Sequence, residues 1–337
     1  MTAKRGCVAR AEIRSPMESS NPIVEERRKK AQALREMGVS LYPAGYDPGI
    51  TAAEAVERFG EMDVGALEAN PESHRMAGRI VSRRDFGKAS FVHVKDRSGR
   101  IQVYIRKDGV GEEAFQAFKL MDIGDIVGVL GTFFRTRTNE LTLLADEIRL
   151  LTKSLRPLPE KWHGLTDKET RYRQRYVDLI VNDDVQKVFV MRSRIVQRIR
   201  EFFIGKDFLE VETPMMQPIP GGATARPFKT YHNALGMELY LRVAPELYLK
   251  RLVVGGLERV FEINRNFRNE GVDLKHNPEF TMLEFYMAYA TYEEMMALSE
   301  ELFLDLVTNL LGSSRLEFQG VSIDFPLPWR RIPLQDA

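Results

Sequence analysis

Five short runs of strand-forming sequence follow one another between His74 and Leu151, and they strongly limit the folds open to this part of the chain. In the second run, Val92 and Val94 alternate with more polar residues, as on a strand with one buried face. The predicted strands are Met76–Ser82, Ser90–Lys95, Ile101–Arg106, Ile126–Phe134 and Leu141–Leu150.

A helical stretch, Glu112–Leu120, lies between the third and fourth predicted strands. The second and third strands are separated by Asp96-Arg97-Ser98-Gly99, which is a good turn sequence. Five strands with a helix between the third and the fourth are the layout of an OB-fold, a small β-barrel whose usual ligands include oligonucleotides. The sequence therefore predicts such a barrel in the N-terminal part of the chain.

Composition limits the class of protein more loosely. The 337 residues allow two domains, and the net charge of +1 argues against a generally basic coat for nucleic acid, although local basic patches remain possible. The only cysteine, Cys7, excludes a disulfide framework and favours a reducing, cytoplasmic setting. No apolar run approaches the roughly 20 residues of a membrane span, and the N-terminus lacks the apolar core of a signal peptide.

A second informative segment, residues 267–286, reads as two short strands joined by a polar loop. Side chains alternate between the faces of a strand, so Phe280, Met282, Glu284 and Tyr286 are expected on one face. A carboxylate inside an apolar strand is costly unless a cation meets it. The loop itself carries Arg268, Glu270, Lys275 and His276. The combination suits a site that binds phosphates through arginine and histidine and an ammonium group through glutamate.

The segment RNEGVDLKHNPEFTMLEFY, residues 268–286, resembles motif 2 of the class II aminoacyl-tRNA synthetases, in the form found in lysyl-tRNA synthetases. Upstream, a helix over Val185–Ile204 and a strand over Leu209–Thr213, ending at Pro214, resemble motif 1, which forms much of the dimer interface in that class. The resemblance implies an α+β chain. A five-stranded OB-fold β-barrel would precede a class II synthetase catalytic domain built on an antiparallel sheet.

The resemblance implies a nucleotide site in motif 2. Arg268 would hold the substrate carboxylate and the α-phosphate of ATP together, as the main catalytic residue, and Glu270 would accept hydrogen bonds from the adenine amino group. His276 would reach the outer phosphates, Asn277 would support the site, and Phe280 would stack on adenine. The alternatives are a salt bridge of Arg268 with a nearby glutamate, a solvated loop histidine and a plain core phenylalanine.

The resemblance also implies a pocket for the amino acid lysine. Gly222, Glu246, Glu284 and Tyr286 match positions that line this pocket in the family, and the glutamates would meet the ammonium groups. Glu246 follows a proline that suits the first turn of a helix, so it is alternatively a carboxylate that stabilises a helix N-terminus.

On the predicted barrel, the resemblance implies an anticodon-binding site. Phe91 is expected on the polar face of its strand, where it would stack on a base. Gln102 is expected to point away from the apolar face and to read a base edge with its side-chain amide. Arg84, placed just after the first predicted strand, would bind phosphate or base. The alternative for Phe91 is a minor core contact.

The implied reaction joins lysine to ATP, giving lysyl-adenylate and pyrophosphate, and then transfers lysine to the 3′ end of lysine tRNA. The expected partners are lysine, ATP, lysine tRNA and a second copy of the chain, with Mg²⁺ on the phosphates. No metal ligands are expected within these residues.

The predicted division is a disordered extension over 1–20, a helix and OB-fold anticodon-binding domain over 21–153, a linker over 154–170, and a catalytic domain over 171–337. The start codon is Met1 or Met17. The G-x-G-x-x-R segment of motif 3 is absent, so an N-terminal fragment with little or no aminoacylation activity is expected. The N-terminal helix over 22–37 carries five basic residues, which are either a solvated face or a contact with RNA phosphates.

Two alternative functions remain open at this point. One is an aspartyl- or asparaginyl-type synthetase, which shares the class but takes another amino acid. The other is a non-catalytic module in which the OB-fold binds tRNA.

Overall fold

The computed structural model describes residues 21–69, 71–159, 165–273 and 275–336. The chain divides into two compact units, residues 1–182 and residues 183–337. The predicted extension over 1–20 lies outside the described residues, as does the middle of the predicted linker. None of the helices in the described ranges is long and apolar enough to cross a membrane.

The first unit contains a closed barrel of five strands in the order β1–β2–β3–β5–β4. The strands are β1 (Ser73–Phe86), β2 (Ala89–Lys95), β3 (Arg100–Arg106), β4 (Ile126–Arg135) and β5 (Leu141–Thr152). The helices are α1 (Pro22–Glu36), α2 (Ala52–Phe59), α3 (Val64–Ala69), α4 (Lys107–Val110), α5 (Glu112–Lys119), α6 (Lys168–Arg173) and α7 (Arg175–Val181). The predicted OB-fold is thereby confirmed, with α5 between the third and fourth strands.

The barrel closes because alternate side chains of every strand point into one core. Val92 and Val103 are fully buried there, and Phe118 packs from α5. At Gly131 the register of β4 against β5 shifts, and a Cβ atom on this residue would lie 1.9 Å from the carbonyl oxygen of Leu144. Only glycine allows the two backbones to approach this closely.

Helix α1 is held to the barrel by its own basic residues. The Arg27 guanidinium is buried and donates to the carbonyls of Ser154, Arg156 and Ile123 at 3.2, 3.1 and 2.9 Å. Lys30 Nζ lies 2.7 Å from Asp122. Two of the five basic residues therefore stabilise the fold, which neither interpretation of this helix had foreseen.

A buried ionic cluster closes the end of the barrel. The Lys153 side chain is fully buried, and its Nζ lies 2.7 Å from Asp122 Oδ2 and 2.9 Å from Asp125 Oδ2. Burial raises the pKa of the Asp125 carboxyl, although the Lys153 charge opposes that shift. For Asp122, burial is outweighed by hydrogen bonds from Lys153 and Lys30, and its pKa lies below the ordinary value.

The second unit is built on a three-stranded sheet in the order β11–β10–β6, beside β7–β9–β8 and the hairpin β12–β13. Its strands are β6 (Leu209–Glu210), β7 (Met216–Gln217), β8 (Lys229–His232), β9 (Met237–Leu241), β10 (Arg259–Phe267), β11 (Glu279–Met287), β12 (Arg315–Phe318) and β13 (Val321–Asp324). Its helices are α8 (Asp183–Ile204), α9 (Glu246–Val254) and α10 (Tyr292–Leu311), and a 3₁₀ turn spans Leu334–Asp336.

The central pair of this sheet, β10 and β11, is antiparallel, as predicted. The edge strand β6 is shorter than the predicted Leu209–Thr213 and runs parallel to β10. It ends early because the backbone N–H and hydroxyl of Thr213 both turn to Glu262. The core behind the sheet includes Phe203 of α8, whose ring stacks on Phe261 at 5.0 Å between centroids.

Candidate functional site

The β10–β11 hairpin presents one polar and one apolar face. On the apolar face, Leu283 and Phe285 pack against the core behind the sheet. On the other face, three polar side chains of β10 each pair with a residue of β11. These pairs are Glu262 with Glu284, Asn264 with Met282, and Asn266 with Phe280. The expected alternation of faces along this segment is present in the structure.

Arg268 lies at one end of the polar face. Its guanidinium carbon is 5.2 Å from the centroid of the Phe280 ring, and its backbone N–H donates to the Pro278 carbonyl at 2.8 Å. Its Nε is buried without a hydrogen-bond partner among the described residues. Glu262, one of the glutamates considered as its salt-bridge partner, is paired with Arg242 instead. The geometry leaves a cationic donor available to an anion beside an aromatic ring.

The loop after Arg268 is shaped by an aspartate that sequence reasoning missed. Asp273 Oδ1 accepts from the backbone N–H groups of Lys275 and His276 at 2.6 and 2.8 Å, and its Oδ2 lies 2.7 Å from His276 Nδ1. These hydrogen bonds lower the pKa of the Asp273 carboxyl, and the bond from the Lys275 N–H has the largest effect. The exposed His276 ring is therefore oriented by Asp273, and the spacing D-x-x-H was the available signal.

Two other predicted nucleotide contacts lie near this loop. Glu270 is exposed, and its backbone N–H donates to the Arg268 carbonyl at 3.0 Å. Asn277 donates from its side-chain amide to the backbone carbonyl of Glu279 at 2.6 Å. The amide of Asn277 thus shapes the start of β11, and its support of a nucleotide site stays a prediction.

Glu284 and Tyr286 lie together on β11, where the Tyr286 hydroxyl donates to Glu284 Oε2 at 3.3 Å. Burial raises the pKa of the Glu284 carboxyl, and the neighbouring carboxylates of Glu246 and Glu262 raise it further, while the Tyr286 hydrogen bond and Arg242 oppose the shift. Burial likewise raises the pKa of the Tyr286 phenol. A half-buried carboxylate with few cationic side chains nearby suits an ammonium ligand.

Gly222 and Glu246, the other predicted pocket residues, are in contact. Gly222 has φ +87°, and a Cβ atom there would lie 3.0 Å from the Glu246 Cβ and 3.1 Å from the Ala244 Cβ. Glu246 is the first residue of α9, and its Oε1 is 2.6 Å from Lys250 Nζ. Its position agrees with the alternative that it stabilises the N-terminus of a helix. Its negative charge also raises the pKa of Glu284.

A buried arginine under this site was not anticipated. Arg242 follows β9 and is fully buried, and its Nη1 lies 2.7 Å from Glu262 Oε1 and 2.9 Å from Thr213 Oγ1. The available signal was an arginine between Leu241 and Val243, at a position where an apolar residue is the rule.

The barrel carries a row of aromatic rings on the outer faces of its strands. Phe91 stacks on Tyr104 with 4.3 Å between centroids and 17° between planes. Phe86 meets Phe91 edge-on at 6.1 Å, and Phe134 lies 6.1 Å from Tyr104. We call these four residues the aromatic platform. Exposed and half-buried rings of this kind suit stacking of unpaired bases.

Arg84 and Gln102 differ from their predicted settings. Arg84 lies inside β1 rather than after it, exposed and directly opposite Phe91. Gln102 is only 8% exposed, because β5 covers it. Its Oε1 accepts from Thr142 Oγ1 at 2.9 Å and its Nε2 donates to Glu140 at 2.8 Å. The amide of Gln102 is therefore covered and already hydrogen-bonded, and base reading, which stays a prediction, would require displacement of Glu140.

The residues that the structure describes contain no group of three or more histidine, cysteine, aspartate and glutamate side chains arranged to hold a metal ion.

Comparison with known proteins agrees with this arrangement. Residues 167–337 match the family of class II tRNA synthetases (D, K and N), and residues 74–151 match the OB-fold nucleic acid binding domain. The chain is similar to lysine–tRNA ligases of Pelotomaculum thermopropionicum, at 56% identity over 320 residues, and Azoarcus sp., at 55% over 320 residues. A third such ligase, from Coxiella burnetii, is 50% identical over 326 residues.

These alignments cover 95%, 95% and 97% of the chain, but 62%, 64% and 65% of the respective relatives. The chain thus spans somewhat less than two thirds of the length of the relatives it matches. The class II family model alone accounts for more than half of the sequence, and the motif 2 hairpin lies within it. The chain belongs to the class II tRNA synthetases of the D, K and N group.

Proposed function

We propose that the chain carries the lysine-activation site and the tRNA-binding barrel of a lysine–tRNA ligase. The observation that carries this proposal is the polar face of the β10–β11 hairpin. It holds Arg268, whose Nε has no hydrogen-bond partner among the described residues, over the Phe280 ring at one end and the Glu284–Tyr286 pair at the other. The hairpin thereby offers an anion and nucleobase site beside a site for an ammonium group.

In the first step, the carboxylate of lysine attacks the α-phosphorus of ATP, and pyrophosphate leaves. Arg268 would hold both reacting groups and offset the negative charge that develops between them. Phe280 would stack on adenine, and His276, oriented by Asp273, would meet the outer phosphates. The protein supplies position and charge, and no nucleophilic side chain is needed.

Selection of lysine would depend on the carboxylates of Glu246 and Glu284. They would bind the ammonium groups, with the Tyr286 hydroxyl holding Glu284 in place. The family includes enzymes of the D and N types, but the side-chain carboxylate of aspartate would be repelled by the same two glutamates. The pocket chemistry therefore favours lysine over aspartate.

In the second step, the terminal ribose hydroxyl of lysine tRNA would attack the carbonyl of lysyl-adenylate, forming the ester to tRNA as the bond to the phosphate breaks and AMP leaves. The aromatic platform would bind the anticodon loop, with Phe91 and Tyr104 as the stacked pair and Arg84 close by for a phosphate. Gln102 would read a base only if its side-chain amide gave up its hydrogen bond to Glu140 and bonded to the base instead.

We further propose a cytoplasmic homodimer that uses ATP with Mg²⁺. The interface would include α8, since Val188 and Val190 on this helix are 64% and 46% exposed. Large apolar side chains left exposed on a helix are consistent with a surface that another chain covers.

The proposal is tested by exchange of labelled pyrophosphate into ATP, measured with each amino acid in turn. The purified chain and the product of the whole gene are assayed side by side. Exchange that depends on lysine, in either protein, is the expected result. Exchange with aspartate or asparagine would overturn the assignment of substrate, and binding of lysine tRNA without any exchange would favour a non-catalytic module.

A further inference from the structure

Arg242 ties together three segments beneath the candidate lysine pocket. Its Nε donates to the Arg265 carbonyl at 2.9 Å, and its Nη1 donates to the Thr213 carbonyl at 3.2 Å and to Glu262 at 2.7 Å. Its backbone carbonyl also accepts from the N–H of Phe267 at 2.9 Å. A side chain this deeply buried and this widely bonded is held in one orientation.

Its partner Glu262 is also extensively hydrogen-bonded, whereas Arg242 Nη2 is buried without a partner among the described residues. The Glu262 carboxylate is 1% exposed and accepts from the Thr213 N–H at 3.2 Å, the Thr213 hydroxyl at 2.7 Å and the Asn264 amide at 3.1 Å. Because such a carboxylate would be very unfavourable without a counter-charge, Arg242 and Glu262 form a neutral unit. Glu262 is thereby unavailable to a substrate ammonium group.

This neutral unit lies directly beside Glu284. Glu262 and Glu284 occupy paired positions on β10 and β11, so their side chains share one face of the sheet. The charged or titratable groups that act on Glu284 are Glu262 and Arg242 on this side, Glu246 at the start of α9, and Tyr286 on its own strand. Of these, only Arg242 carries a positive charge.

We propose that Arg242 is a positioning residue for lysine recognition, which cancels the charge of Glu262 so that Glu284 remains an ionised, correctly placed ligand for the substrate ammonium. This inference rests on the proposed function. Arg242 itself touches no substrate and acts through its neighbour.

The proposal predicts opposite effects on the ionisation of Glu284 when the charge of Arg242 or that of Glu262 is removed. Removing the positive charge leaves Glu262 facing Glu284, and two neighbouring carboxylates disfavour ionisation of one another. Removing the negative charge of Glu262 instead leaves Arg242 uncancelled, which favours the ionised form of Glu284. A purely structural role for the pair would produce losses of one sign only.

The experiment measures kcat/KM for lysine in pyrophosphate exchange between pH 5 and pH 9, with the enzyme expressed from its whole gene. In Arg242→Gln, the acid limb of the profile should move up by about one pH unit, which is about a tenfold loss at the acid end. In Glu262→Gln it should move down by a similar amount. The double variant should return close to the unmodified enzyme.

Arg265→Gln is the matched control. Arg265 is an exposed arginine of β10, the strand that carries Glu262, and its guanidinium lies 3.6 Å from Glu279. Its profile should not move. If Arg242→Gln does not fold, the downward shift in Glu262→Gln, which keeps the shape of the side chain, still decides. Unmoved limbs, or limbs that move in the same direction, would overturn the role of Arg242. Loss of lysine-dependent exchange in the unmodified enzyme would instead overturn the proposed function.

Discussion

At the scale of single residues, the candidate site depends on charges in unusual settings. Within the described parts of the chain, the buried Nε of Arg268 has no partner, and Glu284 is a half-buried carboxylate whose pKa is raised by burial and by nearby carboxylates. Both are unfavourable in an isolated protein. Such groups are common where a ligand completes them, and each gives a specific expectation for a variant.

Replacing Glu284 with glutamine should weaken the use of lysine much more than the use of ATP. The change removes the charge that would meet the ammonium group, but leaves Arg268 and Phe280 in place. We expect a rise of about 10-fold to 100-fold in KM for lysine, since a charged hydrogen bond contributes about 1.5–3 kcal/mol. KM values for both substrates in pyrophosphate exchange measure the effect. Glu279→Gln on the same strand is the control, and equal losses for the two substrates would make Glu284 a structural residue.

The same carboxylate predicts a pH dependence. The proposed binding of lysine would require ionised Glu284, and a raised pKa keeps the carboxyl protonated at pH values where an ordinary glutamate, with a pKa of about 4.3, is already charged. The affinity for lysine should therefore fall as pH drops through this raised value. The acid limb of kcat/KM for lysine should disappear in Glu284→Gln, and an unchanged limb would assign it to another group.

Another residue-scale prediction concerns the buried cluster of the barrel. Lys153→Met leaves Asp122 and Asp125 without the cation that both contact, so we expect a loss of about 3–5 kcal/mol in the free energy of unfolding at pH 7. The loss should shrink at acid pH, where the aspartates are protonated. Urea unfolding measures this loss, and Lys29→Met, at an exposed lysine, is the control. A loss below about 1 kcal/mol would contradict a stabilising role for the buried Lys153 cluster.

At the scale of elements, strand alternation places the aromatic platform on the outside of the barrel. The inward side chains of β2 and β3 fill the core. Phe91 and Tyr104 lie on the opposite face of these paired strands, where their rings stack on each other. The pair is held by the strands, which lowers the entropic cost of binding a base upon the rings.

Replacing Phe91 with alanine should weaken binding of lysine tRNA by about 1–3 kcal/mol, because one stacking surface is lost. Filter binding or fluorescence anisotropy at a fixed salt concentration measures the change. Tyr42→Ala removes an exposed aromatic ring outside the platform and should leave the dissociation constant unchanged. An unchanged constant in the Phe91 variant would remove the platform from the tRNA-binding surface.

At the scale of the whole molecule, the two units have separate hydrophobic cores. One core fills the barrel around Val103 and Leu143, and the other lies behind the β10–β11 sheet around Phe203. Small single domains usually unfold cooperatively, whereas a chain with two cores need not. Each core is therefore expected to respond to its own mutations.

Leu143→Ala should destabilise the barrel by about 2–5 kcal/mol, and Phe203→Ala the second unit by about 3–5 kcal/mol. Hydrogen exchange followed by mass spectrometry in increasing denaturant measures the stability of each unit in the same sample. Each substitution should increase exchange mainly in its own unit. Equal increases throughout the chain would show that the molecule unfolds as one cooperative block.

Much of this organisation could be predicted from local patterns. Alternation of residue types is a property of neighbours along the chain, so the five barrel strands and the two faces of the motif 2 hairpin were visible in the sequence. The boundaries were less accurate: β1 extends to Phe86 and takes in Arg84, and β6 stops at Glu210. Strands end where pairing ends, and pairing depends on distant segments.

Local sequence patterns thus define the set of elements, the faces of their side chains and the residue types gathered at motif 2. Which polar groups are already paired depends on contacts between distant segments. Gln102 is covered by Thr142, 40 residues away, and Glu262 is paired with Arg242, 20 residues away. The cost of burying a charge or an amide depends on neighbours that only the folded chain brings together, so no local pattern could assign these partners.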